Sequence, residues 1–212
     1  MSKTAMIWGV SGGIGRAIAG QLRQAGWTVV GISRHPEDVV DLTHYGFSAD
    51  ASREYDAQTA VHATSLEVDQ IDLWIYAAGD IETTAVADLD TESWQRQLDA
   101  NLTGPFLTTK HSLPLLADDA HLVYLGAVSE RLKLPKFSAY VAAKAGLEAF
   151  VASLQKELRG KKIPTVRPGA VATPFWDKLP LNLPKDAAPP EKVAKRILTA
   201  YDEWHSGQLD LV

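Results

Sequence analysis

Tyr140 and Lys144 stand four residues apart in Tyr140-Val141-Ala142-Ala143-Lys144, a spacing that puts both side chains on one face of a helix. A phenol with a pKa of about 10 is a poor base at neutral pH. A neighbouring ammonium favours the phenolate and lets the pair move a proton at a substrate oxygen. Taken alone, the pair is as readily a surface helix couple. A second feature supplies context: Gly9-Val10-Ser11-Gly12-Gly13-Ile14-Gly15 directly follows an apolar run and opens a helical pattern. Glycines at such a turn let backbone close on a pyrophosphate lying at the positive end of the helix. They also serve turn geometry with no ligand at all.

Other chemistries find little support. With no cysteine, disulfides and thiolate sites are excluded, and the six histidines, at positions 35, 44, 62, 111, 121 and 205, lack ligand spacing. No metal is expected. A formal charge of −5 leaves no basic footprint for nucleic acid. The first apolar run is too short for a signal segment and no later run approaches a membrane span, so a cytoplasmic protein with no membrane partner is expected.

These residues need elements to position them. Strand patterns at Ala5–Val10, Thr28–Ile32, Gly46–Ala49, Leu73–Ala77, Leu122–Leu125, Pro164–Arg167 and Leu209–Val212 alternate with helical ones. The first helix has Ile14, Ala17, Ile18, Leu22 and Ala25 on one face. The longest begins near Ser138 and carries the stripe Leu147, Phe150, Val151, Leu154 and Leu158. Helices are also predicted over Glu54–Ser65, Thr91–Leu116 and Pro190–Trp204. This alternation predicts an α/β fold, a doubly wound parallel sheet of about seven strands with helices on both faces. At 212 residues, without linker or repeat, residues 1–212 read as a single domain. The Pro-rich stretch 174–190 reads as a loop over a site. Its Phe175, Trp176 and Leu179 either line a pocket or anchor the loop.

Gly9, Gly13 and Gly15 form G-x-x-x-G-x-G. Asp50-Ala51, Ala77-Ala78-Gly79, Asn101-Leu102-Thr103-Gly104-Pro105-Phe106, the Tyr140/Lys144 pair and Pro168-Gly169-Ala170-Val171-Ala172-Thr173 follow in order. On these segments the chain resembles the short-chain dehydrogenase/reductase family from end to end, which implies a Rossmann-type fold and NAD(P)-dependent hydride transfer. The resemblance implies that Gly9, Ser11, Gly13, Ile14 and Gly15 cradle the pyrophosphate and that Asp50 and Ala51 meet the adenine. Ala77, Ala78 and Gly79 would allow close backbone approach, while Pro168, Gly169, Val171 and Thr173 would orient the nicotinamide carboxamide. Tyr140 becomes the general acid/base, Lys144 holds the nicotinamide ribose, and Asn101 supports a relay water. A homodimer or homotetramer through the fourth and fifth helices is likewise implied. Thr108, Leu115, Ala149, Phe150 and Ser153 are candidates for that surface unless they face the sheet.

Cofactor choice rests on the end of the second strand. Ser33 stands where an acid would bind the ribose of NAD, and Arg34 follows. An arginine pairs with a 2′-phosphate, so NADP(H) is expected, with NAD(H) the alternative. The competing reading makes Arg34 a solvated loop residue.

Three departures stand out. Trp8 replaces a threonine, Tyr76 an asparagine, and Ala127, thirteen residues before Tyr140, the serine that binds the substrate carbonyl. Losing such a donor can cost roughly 2.7–4 kcal/mol in the transition state. Ser129 would swing in to replace it, or the substrate needs only Tyr140 and Lys144, or cofactor binds without turnover. The Gly126-Ala127 pair resembles dihydropteridine reductase, a family member that reduces a quinonoid pterin without the serine. A working reductase for a small carbonyl, quinone-like or pterin-like substrate is the reading adopted, since an intact Tyr/Asn/Lys set has no evident role in a mere binder.

Overall fold

The computed structural model describes residues 2–211. Its strands are β1 (Thr4–Trp8), β2 (Thr28–Ser33), β3 (Tyr45–Ser48), β4 (Ile71–Tyr76), β5 (Leu116–Leu125), β6 (Pro164–Pro168) and β7 (Gly207–Leu211). All pair in parallel in the order β3-β2-β1-β4-β5-β6-β7. The chain winds outward from β1 in one direction, then from β4 in the other. A crevice therefore opens at the carboxyl ends of β1 and β4, where such sheets take ligands. The α-helices are α1 (Gly13–Gln24), α2 (Glu54–Ser65), α3 (Thr91–Leu98), α4 (Gly104–Ser112), α5 (Ser138–Glu157) and α6 (Pro190–Asp202).

All five residues of β1 are buried, as a central parallel strand requires. Its alternate side chains feed two cores. Met6 and Trp8 join Trp74, Tyr76, Leu122 and Tyr124 beneath α2, α4 and α5. Ala5 and Ile7 join Leu73, Ile75 and Val123 beneath Ile18 and Leu22 of α1 and Val193 and Ile197 of α6. Each large side chain buried this way contributes about 1.5–3 kcal/mol. The two layers fix the carboxyl edge of the sheet as a rigid platform.

Several sequence expectations need correction. The single helix predicted over Thr91–Leu116 breaks into α3, a π-helical turn (Asp99–Thr103), α4 and a 3-10 turn (Leu113–Leu115). Pro105 has no N–H to give the carbonyl four residues back, and the Gly104 amide reaches five residues back to Asp99 instead. β5 starts six residues earlier than predicted, because its register against β4 slips between Ile71 and Leu73. The slip turns Asp118 and Asp119 outward, and these exposed acids hide the strand from a pattern reading. Ala25 is an exposed cap rather than part of the buried face of α1. Thr108 and Leu115 are buried, which removes them from any surface between copies, whereas Ala149 and Ser153 are exposed. Val212, the end of the last predicted strand, lies outside the described residues.

Candidate active site

The glycine turn and the fourth strand meet tightly. Gly9 has φ +81°, and a Cβ there would lie 2.4 Å from the Ala78 amide nitrogen, so only glycine permits this approach. The Gly9 amide bonds to Ile32 of β2 at 2.8 Å and the Ala77 amide to Trp8 of β1 at 2.8 Å. The turn is thereby hung between three strands. Gly13 lies against Thr173, whose methyl occupies the space a Cβ would need. The first amides of α1, from Gly13 to Gly15, have no carbonyl partner inside the helix, and Ser11 and Ile14 are half-buried beside them. Thr173 and the glycine turn thus form one continuous wall.

At the end of β2, Ser33 is buried with its hydroxyl unpartnered, and Arg34 beside it is exposed. Across from them Asp50 accepts the amide and hydroxyl of Ser52, at 3.0 and 2.6 Å. Burial raises the Asp50 carboxyl, but Ser52, then Arg34 and Arg53, outweigh it and hold it below the usual range. Arg34 therefore presents its charge to solvent next to a carboxylate already engaged by Ser52.

Asn101 sits on the π-helical turn and is fully buried. Its amide nitrogen donates to the Asp80 carbonyl at 2.7 Å and the Gln97 carbonyl at 2.9 Å, while its Oδ1 has no partner. A Cβ on Gly79 would lie 3.0 Å from that Oδ1 and 3.9 Å from Lys144 Nζ, so both polar atoms border Gly79. A buried acceptor left without a donor is costly, and its retention marks a place for an external partner. Tyr76 supports the turn from below: its hydroxyl donates to the Ala100 carbonyl at 2.8 Å. Its departure from the family's asparagine thus acquires a structural role that the sequence alone did not show.

Tyr140 and Lys144 are both buried on the inner face of α5. Lys144 Nζ lies 5.8 Å from the Tyr140 ring centroid and donates to the Leu125 carbonyl at 2.9 Å. Burial pushes the Lys144 ammonium down to about 8, with Glu148 acting in the opposite sense. Burial also pushes the Tyr140 phenol well above its ordinary value. Around Tyr140 the wall is apolar: Ile81, Ala127 and Phe137 pack with it, joined by Leu132, Val141, Phe175 and Leu179. Of the three loop residues singled out by sequence, Phe175 and Leu179 reach this patch and Trp176 is not among them. Ser129 is buried in a 3-10 turn, its amide bonded to the Ala127 carbonyl at 2.8 Å.

The loop after β6 is closed at its base, where Ala172 donates to Ala188 and Ala188 donates to Ala170. Beyond Pro168, the Gly169 amide bonds to Leu211 and Val171 is buried. At the loop's far end Lys178 pairs with Asp80, which also holds Arg96 at 3.0 Å. Sequence reading missed this ion cluster, because its members lie far apart in the chain and no motif links them. A surface cavity of about 490 Å³ lined by Arg23, Trp27 and His44 lies at the opposite, amino-terminal edge of the sheet and contains none of these residues.

Residues 3–183 match the model of a family described as short chain dehydrogenase. An uncharacterized oxidoreductase of Staphylococcus epidermidis is 29% identical over 82% of this chain and 80% of its own. A 3-oxoacyl-[acyl-carrier-protein] reductase of Mus musculus is 31% identical over 82% of this chain and 77% of its own. Among solved structures, an alcohol dehydrogenase from the archaeon Thermococcus sibiricus complexed with 5-hydroxy-NADP superposes with a TM-score of 0.91 at 22% identity, covering all of this chain and 96% of that one. A 3-ketoacyl-(acyl-carrier-protein) reductase from Brucella melitensis complexed with NADH gives 0.86 at 20% identity, covering 98% and 96%.

Proposed function

The chain belongs to the short-chain dehydrogenase family, and on that premise we propose that it is an NADP(H)-dependent oxidoreductase acting on a small carbonyl, alcohol or quinone-like substrate. The observation that carries the proposal is the convergence of Tyr140, Lys144 and the unpartnered Asn101 Oδ1 at the carboxyl edge of the sheet, beside the glycine cradle. The residues fit the cofactor. Gly9, Ser11, Gly13, Ile14 and Gly15 offer close backbone and helix amides to a pyrophosphate. Arg34 with Ser33 would take the 2′-phosphate, while Asp50 and Ala51 would border the adenine. Ala77, Ala78 and Gly79 leave room for the nicotinamide half. Pro168, Gly169, Val171 and Thr173 bound it from the other side.

NADPH held by these residues would supply the hydride for the substrate carbon. Tyr140 would give its proton to the carbonyl oxygen in reduction and take it back in oxidation. Lys144 holds the ribose hydroxyls and keeps positive charge near the phenol. Asn101 accepts from a relay water at its free Oδ1. The apolar wall of Ile81, Phe137 and Phe175 excludes water from the reacting atoms. Ser129 is the hydroxyl nearest in sequence to the position that Ala127 leaves without one. The methyl of Ala127 in the patch favours a second reading, reduction of a quinonoid pterin that needs no extra donor. In either case the enzyme works in the cytoplasm as a homodimer or homotetramer.

Titration with NADPH and NADH, followed by quenching of the six tryptophans, tests the proposal without knowledge of the substrate. Tighter binding of NADPH is expected. Binding of neither nucleotide overturns it.

A further inference from the structure

Behind the site lies an ion cluster around a buried arginine that the mechanism above does not use. Arg167, at the end of β6, is 4% exposed. Its guanidinium pairs bidentately with Asp210 of β7, at 2.7 and 2.8 Å, and its Nη1 meets both oxygens of Glu130 at 2.8 and 3.0 Å. Glu148 of α5 takes third place, with Oε2 3.5 Å from Nη1, and its buried Oε1 has no partner. Three carboxylates thus share one guanidinium, whose better contacts go to the other two. Glu148 is left incompletely neutralised, one helical turn from Lys144 on the same helix.

We infer that Glu148, held in place by Arg167, is a positioning residue for the proposed reaction: its carboxylate keeps the buried Lys144 ammonium charged so that it can hold the nicotinamide ribose. This rests on the reductase reading of Tyr140 and Lys144. Among the described residues, Lys144 Nζ donates to the Leu125 carbonyl of β5, lies by the Tyr140 ring of α5 and borders Gly79 together with Asn101 Oδ1, and none of these groups carries a full negative charge. Glu148 is the acid that opposes the desolvation of Lys144. Burial, with Glu130 and Asp210 adding to it, pushes the Glu148 carboxyl above its ordinary value, and Arg167 is the group that opposes this. Arg167 therefore serves to keep Glu148 ionised. Without the carboxylate, the buried Lys144 ammonium loses its proton more readily.

The test is the pH dependence of NADPH affinity, read by tryptophan quenching, in wild type, Glu148→Gln and Glu148→Asp. Alongside it, the Cε shift of Lys144 is titrated by NMR in the 13C-labelled, cofactor-free protein and assigned by its loss in Lys144→Arg. Glu148→Gln should move the alkaline loss of NADPH affinity and the Lys144 titration together to lower pH by about one unit, and Glu148→Asp should restore part of the shift. Should Glu148→Gln fail to fold, Glu148→Asp and Arg167→Lys carry the test, each with a smaller shift in the same direction. A folded variant whose Lys144 titrates as in wild type overturns the inference, since a purely structural role moves stability and not this midpoint. If wild type binds no nicotinamide nucleotide, the reductase reading falls, and the cofactor-free titration still decides the role of Glu148.

Discussion

Lys144 Nζ donates to the Leu125 carbonyl at 2.9 Å, which ties the ammonium to the strand end from which the Ala127 segment departs. Four donors and acceptors of the site, Lys144, Asn101, Tyr140 and the β5 terminus, are thus set by one rigid edge. Burial pushes the Lys144 ammonium down to about 8, opposed by Glu148, and pushes the Tyr140 phenol above its ordinary value. NADPH-dependent reduction, which needs both protons in place, should hold steady below about pH 8 and decline above it. A kcat/KM profile that stays level to about pH 10 would show that Lys144 does not carry the charge assigned to it.

Ala127 packs its methyl group against Tyr140, Ile81 and Phe137, and on the proposed function it stands where a hydroxyl would stabilise a developing oxyanion. Ala127→Ser should raise turnover of simple ketones by up to about 10²-fold, with little change in NADPH affinity. Steady-state rates on a matched ketone pair read this directly. No gain would mean that substrate chemistry, and not the missing donor, sets the rate.

Arg34 is exposed beside Ser33 and free to meet a phosphate. Arg34→Ala should weaken NADPH binding by about 10- to 100-fold, the worth of one charge-assisted contact, and leave NADH binding nearly unchanged. Equal losses for the two nucleotides would assign Arg34 a solvated loop role instead.

His121 is 1% exposed between Tyr201 and Trp204, with ring centroids 4.5 and 5.1 Å away, and neither ring nitrogen makes a hydrogen bond among the described residues. Burial, with Lys162, pushes it down to about 4. Below about pH 6.5 the unfolded chain gains a proton that the folded one refuses until about pH 4. Stability should therefore fall across that window. His121→Phe should flatten the dependence, as Tm measured at about pH 7 and about pH 5 would show. An unchanged slope would place the acid sensitivity elsewhere.

Much of this architecture was legible because it is local. The glycine turn, the alternation of strands with helices and the Tyr140/Lys144 spacing lie within short windows, and the strand order and the helices α1, α2, α5 and α6 follow those patterns closely. What stayed hidden is long-range. The π-helical turn at Asn101 depends on Pro105 withholding an amide and on Tyr76 reaching in from β4, so a periodic reading ran one helix through it. The Arg167 cluster joins residues from four separated segments, and the Lys178–Asp80 pair lies 98 residues apart in the chain. Only the folded sheet brings such partners together.

The most direct test of the central claim compares NADPH oxidation by wild type and Tyr140→Phe over a panel of carbonyl and quinone compounds, with NADPH affinity measured on both. Wild type should consume NADPH with at least one compound. Tyr140→Phe should bind NADPH equally well yet turn over about 10²- to 10⁴-fold more slowly. Full activity in Tyr140→Phe would contradict the account.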